Sequence, residues 1–179
     1  MVDLRTRALE ESNQKLRKLS SLDDLTGLRN RRDFRANAEK EVSRFRRDNK
    51  PFSILMLDID HFKQINDERG HACGDHVLVE CSAMLTSLLR HQDLLARWGG
   101  EEFIILAVDS DLTHATLIAE KLRIEINQRK VEYDEETINV SFTIGVSEIK
   151  ANQSLDDCIR VADENLYIGK RNGRNRTIS

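Results

Sequence analysis

Two pairs of acidic residues lie where metal-assisted chemistry could occur. Asp58 and Asp60 close an apolar run at 52–60, and Glu101 and Glu102 directly follow a Gly-Gly pair. Residues i and i+2 of a strand point to one face, so Asp58 and Asp60 are predicted to face the same way. Carboxylates gathered at one sheet edge resist ionisation unless a cation neutralises them. Oxygen ligands without His or Cys favour Mg²⁺ or Mn²⁺, and such a site indicates phosphoryl or nucleotidyl transfer.

Glycines and basic residues accompany these acids. Gly99 and Gly100 remove side chains where a substrate would approach the backbone, although the pair is equally consistent with an ordinary turn. Lys63 follows the apolar run closely. Lys170 and Arg174 are four residues apart, which predicts that they lie on one side of a helix end. Together these three cations could balance the charge of a triphosphate.

Asn66 and Asp75 are candidates for reading a purine base. A carboxylate accepts hydrogen bonds from N1–H and N2–H₂ of guanine, whereas adenine presents an acceptor at N1 and would be refused. Asp75 could also cap the N-terminus of a helix over 76–93, and the two roles are compatible.

The elements that must position these residues follow from hydrophobic periodicity. A continuous apolar run predicts a central strand at 52–60, and two apolar runs around the Gly-Gly turn predict a β-hairpin. The order of helices and strands along the chain predicts an α+β fold, an α/β sandwich in which helices cover one mostly antiparallel sheet. The other expected elements are helices over 31–50, 76–93 and 114–130, a half-buried strand over 137–146, and a helix opened by a capping box of Ser154 and Asp157.

Residues 1–21 differ in composition from the rest of the chain. They lack Gly and Pro, and Leu9 and Leu16 lie seven residues apart, which suits a helical linker or stalk. The segment is either a solvated helical lead-in or a signalling stalk. Residues 22–179 are predicted to form one domain.

Composition excludes several classes of protein. The 179 residues are 39% hydrophobic and 33% charged, and a net charge of −3 argues against partners such as a nucleic-acid polymer or an anionic membrane. No apolar run is long enough to span a bilayer, and the N-terminus lacks the apolar core of a signal peptide. Cys73, Cys81 and Cys158 have no CxxC spacing, so we expect buried, reduced thiols and a cytoplasmic location.

The segment RWGGEEF at 97–103 resembles the signature of the GGDEF family, the diguanylate cyclases, in its GGEEF form. Other segments resemble further blocks of that family in the expected order, so the resemblance covers about residues 20–176. These blocks are DDLTGLRNRRDF (23–34), LDIDHFKQINDERGHACGD (57–75), VSFTIGVS (140–147) and ADENLYIGKRNGRNR (162–176).

This resemblance implies both a fold and a reaction. The fold would be a five-stranded central sheet wrapped by helices, related to nucleotidyl cyclases and the polymerase palm. The reaction would condense two GTP into cyclic di-GMP and release two pyrophosphates. Each domain would hold one GTP, so the active unit would be an antiparallel homodimer with Mg²⁺ or Mn²⁺, two ions in each active site.

The resemblance also assigns roles to individual residues. Asp58 and Glu101 match the metal-binding carboxylates, with the backbone carbonyl of Ile59 beside them, and Glu102 matches the second acid of the signature. With Lys63, these acids form the expected catalytic set. In such a reaction, either Glu101 or a metal-bound hydroxide would accept the proton of the attacking 3′-hydroxyl. The substrate-binding matches are Phe62 and Lys63 for the β and γ phosphates, Lys170 and Arg174 for the triphosphate, Asn66 and Asp75 for guanine, Leu25 and Leu78 for the walls around the base, and Gly100 in the turn.

A second site is implied by Arg90 and Asp93, which form an RxxD motif with five residues between Asp93 and Gly99. The spacing is similar to that of the family's inhibitory site, where the product cyclic di-GMP binds. Lys121 stands where an arginine often completes that site. A lysine would contact phosphate but could not form the bidentate fork of an arginine.

The sequence departs from the family pattern at few positions. Asn165 and Gly169 replace small alanines of the last helix, and Gly169 should weaken that helix by about 1 kcal/mol.

The main alternative function is that of a catalytically silent cyclic di-GMP receptor that retains only RxxD, although the intact GGEEF disfavours it. An adenine-accepting cyclase is a third reading, which Asp75 argues against. An upstream sensor domain is expected in the full-length protein.

Overall fold

A computed structural model describes residues 21–179 of the chain. The predicted stalk at 1–21 therefore lies, except for Ser21, outside the described residues. A central sheet has the strand order β1-β3-β4-β2-β7-β8, and a separate hairpin pairs β5 with β6. The strands are β1 (Arg29–Asn30), β2 (Phe52–Ile59), β3 (Leu94–Gly99), β4 (Glu102–Val108), β5 (Lys130–Tyr133), β6 (Glu136–Asn139), β7 (Phe142–Glu148) and β8 (Thr177–Ile178).

Helices cover both faces of the central sheet. One core contains Leu55 and Leu57 of β2 together with buried residues of α3 and α4. The other contains Ile54 and Met56 of β2 with buried residues of α1 and α5. Alternate residues of β2 thus serve opposite cores, as the continuous apolar run predicts. The helices are α1 (Arg31–Asp48), α2 (Phe62–Arg69), α3 (His71–Leu88), α4 (Leu112–Gln128) and α5 (Leu155–Arg171).

The predicted α+β sandwich is confirmed, with six strands in the central sheet where the resemblance implied five. The two edge strands, β1 and β8, are only two residues long each and pair in parallel with β3 and β7. The predicted hairpin pairs beside β2, with Asp58 opposite Glu102. The capping box of Ser154 and Asp157 is also confirmed. Cys73, Cys81 and Cys158 are all buried and free, as expected.

Most predicted boundaries lie within two residues of the observed ones, but two elements differ by more. The helix expected over 76–93 begins at His71 with Gly70 as its N-cap, so Asp75 lies inside the helix and does not cap it. The strand expected over 137–146 is divided between β6 and β7, which belong to different sheets. Its apolar alternation continues across the break because Ile138, Val140 and Phe142 all enter the same core.

Close packing between α5 and β7 depends on two glycines. A Cβ at Gly145 of β7 would collide with the backbone of Ala162 and Leu166, and a Cβ at Gly169 of α5 would lie 2.6 Å from Cγ2 of Thr143. The loss of helix propensity at Gly169 therefore accompanies a close approach of the helix to the sheet, where a Cβ would have to displace the side chain of Thr143. No helix in the described part of the chain combines the length and the apolarity needed to cross a bilayer.

The substitution Gly145→Ala should destabilise the fold strongly, because the added methyl group meets backbone atoms that cannot rotate away. We expect the free energy of unfolding to fall by about 2 kcal/mol or more, measured as a shift in the urea unfolding midpoint. Glu164→Ala, on the exposed side of α5, serves as the control and should change stability by less than about 0.5 kcal/mol. Equal effects of the two substitutions would contradict this account of the helix–sheet contact.

Candidate functional site

Acidic residues from two neighbouring segments meet at the C-terminal end of β2. Asp58 lies opposite Glu102 in the antiparallel β2–β4 pair. One residue further, the backbone N–H of Ile59 donates to the carbonyl oxygen of Glu101 at 3.3 Å. The hairpin turn that carries the Gly-Gly pair is thereby fixed beside the end of a buried strand, and it brings Asp58, Glu101 and Glu102 together.

Burial raises the pKa of two acids in this cluster, Asp58 and Glu102. Asp58 is only 4% exposed. Its burial raises its pKa to about 6; the ion pair with Lys170 opposes this rise, and the charges of Glu101 and Glu102 add to it. Burial also raises the pKa of Glu102. The Lys170 ammonium lies 2.6 Å from Oδ2 of Asp58 and provides the compensating positive charge.

The cluster offers part of a ligand set for a divalent cation. Within residues 21–179, no three His, Cys, Asp or Glu side chains form a ready-made metal-binding group. Asp58, Glu101 and the carbonyl of Ile59 nevertheless supply oxygen donors, which Mg²⁺ and Mn²⁺ prefer, and Asp58 already holds a cationic group. These residues fit a hard cation that takes its remaining ligands from water and from substrate phosphates, as Mg²⁺ commonly does.

Asp60 does not join the cluster, contrary to the prediction from strand alternation. It lies just beyond the end of β2, where the alternation of the strand no longer applies. Its carboxylate accepts hydrogen bonds from Oγ of Ser141 and Oγ1 of Thr143, both at 2.6 Å, and from the N–H of Asn175 at 2.9 Å. Asp60 is thus bound to β7 and to the C-terminal segment.

The N-terminus of α2 lies directly after the acidic strand end. Phe62 and Lys63 are its first two residues; the side chain of Phe62 is buried and that of Lys63 is exposed. His61, the N-cap residue, has a positive φ of 58° and makes no side-chain capping hydrogen bond, and the first turn has no acidic residue. Backbone N–H groups at such a helix start are suited to binding an anion such as a phosphate.

The two C-terminal cations do not share a helix, contrary to expectation. Lys170 lies in the last turn of α5, which ends at Arg171. Gly173 then adopts a φ of 108° and Arg174 a φ of 61°, so the chain leaves the helical path before Arg174. The four-residue spacing therefore does not place the two side chains on one helix face.

The residues predicted to read a base come from adjacent helices. A Cβ at Gly74 of α3 would collide with the side-chain amide of Asn66 on α2, so this glycine allows Asn66 to lie against α3 one residue before Asp75. Leu78, one turn further along α3, is buried, and Leu25 packs against the same core. The structure thus places Asn66 close to Asp75, while Leu25 and Leu78 belong to the same large core.

Arg97 helps to position the glycine turn, a role that the sequence analysis did not identify. Its guanidinium donates to the carbonyl oxygen of Gly100 at 2.8 and 3.1 Å, and to the carboxylate of Asp23 at 3.1 Å. Asp23 in turn accepts from the N–H and Oγ1 of Thr26 at 2.9 and 2.7 Å. Arg97 therefore ties the glycine turn to the loop that carries Leu25. It lies inside the RWGGEEF segment, which was its only signal in the sequence.

A second cavity, of about 250 Å³, opens away from the acidic cluster between α3 and α4. Arg90, Asp93 and Lys121 all line it, so the three residues predicted for the RxxD site are brought together. Asp93 also has a structural role, since its oxygens accept from the N–H groups of Arg90 and Val108, each at 3.2 Å. These bonds fix the turn between α3 and β3 from which Arg90 extends.

The chain resembles known proteins in sequence and in fold. Residues 20–176 match the sequence model described as "Diguanylate cyclase, GGDEF domain". Diguanylate cyclase A of Treponema denticola is 44% identical over 125 residues, which cover 69% of this chain and 34% of that protein. The chain spans between 24% and 36% of the length of the first three curated relatives compared.

Solved structures show the same fold. Diguanylate cyclase SiaD of Pseudomonas aeruginosa, in complex with its activator SiaC, superimposes with a TM-score of 0.86 at 35% identity, covering 99% of this chain and 68% of that one. The GGDEF domain of DgcB from Caulobacter crescentus, in complex with c-di-GMP, gives a TM-score of 0.85 at 29% identity, covering 89% of this chain and 95% of that one.

The substitution Asp58→Asn should stabilise the cation-free protein near neutral pH. The folded pKa of Asp58 is about 6 against an ordinary value of 3.8. The stability linked to this carboxyl is therefore complete below about pH 4 and is lost as the pH rises through about 6. Urea unfolding with EDTA should show Asp58→Asn more stable than wild type by on the order of 2 kcal/mol at about pH 7.5, with the difference closing towards pH 4.

Asp67→Asn, on the exposed side of α2, is the matched control for the loss of one negative charge. It should leave the pH profile of stability unchanged. A constant difference between Asp58→Asn and wild type at every pH would contradict the assignment of the profile to Asp58.

Proposed function

The chain belongs to the GGDEF family of diguanylate cyclases, and we propose on that premise that it condenses two molecules of GTP into cyclic di-GMP and releases two pyrophosphates. The observation that carries the proposal is the convergence of Asp58, Glu101 and Lys170 beside an intact GGEEF turn. Oxygen ligands and a positive charge at the end of a central strand are the groups that nucleotidyl transfer requires.

The reaction needs two domains, because each holds a single GTP. The 3′-hydroxyl oxygen of each GTP attacks the α-phosphorus of the other, so that two phosphodiester bonds form and two bonds to pyrophosphate break. The proton of each 3′-hydroxyl passes to a base such as Glu101. We propose a homodimer in which two such sites face each other. Mg²⁺ or Mn²⁺, as two ions per site held by Asp58, Glu101 and the carbonyl of Ile59, would polarise the phosphate oxygens.

Different residues of the chain bind different parts of GTP. The backbone N–H groups at Phe62 and Lys63 suit the β and γ phosphates, because they begin a helix. Lys170 and Arg174 add positive charge to the triphosphate. Glu102, partly buried beside Asp58, helps to order the groups around the metal and the phosphates.

Recognition of guanine is proposed for Asn66 and Asp75, which lie close together where α2 meets α3. Asp75 would accept from N1–H and N2–H₂ of the base, and Asn66 lies beside it, while Leu25 and Leu78 wall the pocket. A catalytically silent cyclic di-GMP receptor is the alternative function. The cavity at Arg90 and Asp93 is consistent with it, but the intact acids of the GGEEF turn favour the enzyme.

Product binding at the RxxD cavity is the regulatory part of the proposal. Arg90 extends from a turn fixed by Asp93, and Lys121 faces the same cavity from α4. Two cations and an acceptor suit a ligand that has both phosphates and guanine edges. The proposal also includes a cytoplasmic location and control by an upstream sensor domain in the full-length protein.

The central test is incubation with GTP and Mg²⁺, followed by separation of nucleotides and assay of pyrophosphate. Wild type should form cyclic di-GMP, and Glu101→Ala should lower the rate by about 100-fold or more because an oxygen ligand is lost. Glu164→Gln, far from the acidic cluster on the exposed side of α5, should keep the wild-type rate. Binding of cyclic di-GMP with no turnover of GTP would favour the silent receptor.

Feedback inhibition gives a separate prediction for Arg90→Ala. Added cyclic di-GMP should slow wild type, whereas the variant should retain its uninhibited turnover and lose the inhibition, because the guanidinium faces the second cavity and not the acidic cluster. Arg46→Ala, an exposed arginine of α1, controls for the loss of one positive charge. Inhibition of Arg90→Ala at the wild-type product concentration would contradict the assigned site.

A further inference from the structure

The C-terminal segment at 172–178, here called the strap, has a strained backbone. It follows α5 and returns along β7, where Thr177–Ile178 pair in parallel with Ile144 and Gly145. Arg174 and Asn175 have successive positive φ values of 61° and 43°. Residues other than glycine adopt this backbone conformation infrequently, and Asn does so more readily than Arg, so two such residues in succession need surrounding contacts to hold them.

One enforcing contact is the buried carboxylate of Asp60, which is 5% exposed. It accepts from the N–H of Asn175 at 2.9 Å and is itself held by the hydroxyls of Ser141 and Thr143 at 2.6 Å. The N–H of Asp60 donates to the carbonyl oxygen of Ser141 at 2.9 Å. Asp60 therefore links the end of β2 to the strap through a donor at the strained position.

A second contact comes from α4 on the other side of the strap. Arg123 donates to Oδ1 of Asn175 at 3.1 Å and to its carbonyl oxygen at 3.4 Å. Its guanidinium is oriented by two hydrogen bonds to Glu120, at 2.9 and 2.8 Å. Asn175 is thus held at its N–H by Asp60 and at its oxygens by Arg123.

We propose that Asp60 is a positioning residue that clamps the strap so that Arg174 is held at the phosphate end of the GTP site. Arg174 directly precedes Asn175, so the clamp fixes the backbone from which the Arg174 side chain extends. The inference rests on the proposed function, in which Arg174 binds the triphosphate. It gives Asp60 a role distinct from that of Asp58, although both acids belong to one DID segment.

Substitution by Asn separates this role from a role in metal binding. In Asp60→Asn, the amide oxygen can accept from Asn175 and Ser141, and the amide nitrogen can donate to the hydroxyl of Thr143, so the clamp is retained without its charge. In Asp60→Ala, the N–H of Asn175 loses its partner. A metal ligand would be impaired by both substitutions, whereas a clamp would be impaired chiefly by Asp60→Ala.

The experiment measures equilibrium binding of GTP and of GMP to the full chain with EDTA, together with KM and kcat with Mg²⁺. Asp60→Ala should weaken GTP binding about tenfold, the effect of one hydrogen bond to a charged group, and leave GMP binding unchanged because GMP lacks the outer phosphates. KM should rise more than kcat falls. Asp60→Asn should lie within about threefold of wild type.

A double-substitution cycle tests the connection to Arg174. In an Arg174→Ala background, Asp60→Ala should weaken GTP binding no further, because the side chain it positions is absent. Independent, multiplying losses would overturn the proposal, as would equal losses for Asp60→Asn and Asp60→Ala or a matching loss of GMP binding.

Arg123→Ala removes the contact that α4 makes with the strap. It therefore tests the clamp even if Asp60→Ala fails to fold. It should reproduce the selective loss of GTP over GMP, and unchanged GTP binding in Arg123→Ala would contradict a clamp held from both sides. A wild-type chain that binds GTP without forming cyclic di-GMP would contradict the proposed function. The order of GTP affinities among the variants would still decide the role of Asp60.

Discussion

A negative charge buried at the end of the central strand is the constraint on which the site depends. Asp58 is almost fully enclosed, so its carboxylate needs positive charge close by. Lys170 supplies that charge from the last turn of α5. The helix must therefore end close to β7, and Gly145 and Gly169 create the space for that approach. The loss of helix propensity at Gly169 is a cost of placing a cation beside a buried acid.

The remaining site residues come from short segments that meet the same sheet edge. The hairpin turn brings Glu101 beside Ile59, and α2 begins directly after the strand. Arg97 connects the turn to the loop before β1 through Gly100 and Asp23. The sheet thus provides a rigid base, while hydrogen bonds to backbone carbonyls and N–H groups set the position of each loop.

The sequence predicted the parts of the site that lie on regular elements. A continuous apolar run ending in two acids indicated β2, and a Gly-Gly pair between apolar runs indicated the hairpin, so the meeting of Asp58 with Glu101 followed from local patterns. The partners of Asp60 could not be predicted this way. They come from Ser141, Thr143 and Asn175, which are more than 80 residues away along the chain, and strand alternation says nothing about contacts beyond the strand end.

Similar reasons account for the misplaced boundaries. The polar segment at 61–75 did not predict α2, because this short surface helix buries only Phe62 and so has no apolar periodicity. The alternation at 137–146 did not predict a change of sheet, because both parts of the segment share one core. The departure of Arg174 from the helix depends on positive φ values at Gly173 and Arg174, and only the glycine is visible in the sequence as a residue suited to them.

The pairing of β8 with β7 also affects how copies of the protein behave towards one another. A seven-residue strand whose outer hydrogen-bonding groups faced solvent would offer a template for a strand of another molecule. Thr177–Ile178 occupy part of that edge, and Arg176 accepts from Ile144 through its carbonyl oxygen at 2.9 Å. Pairing with Thr177–Ile178 thus leaves less of the β7 edge open to intermolecular β-pairing, and the same short segment is the one that holds Asn175 against Asp60.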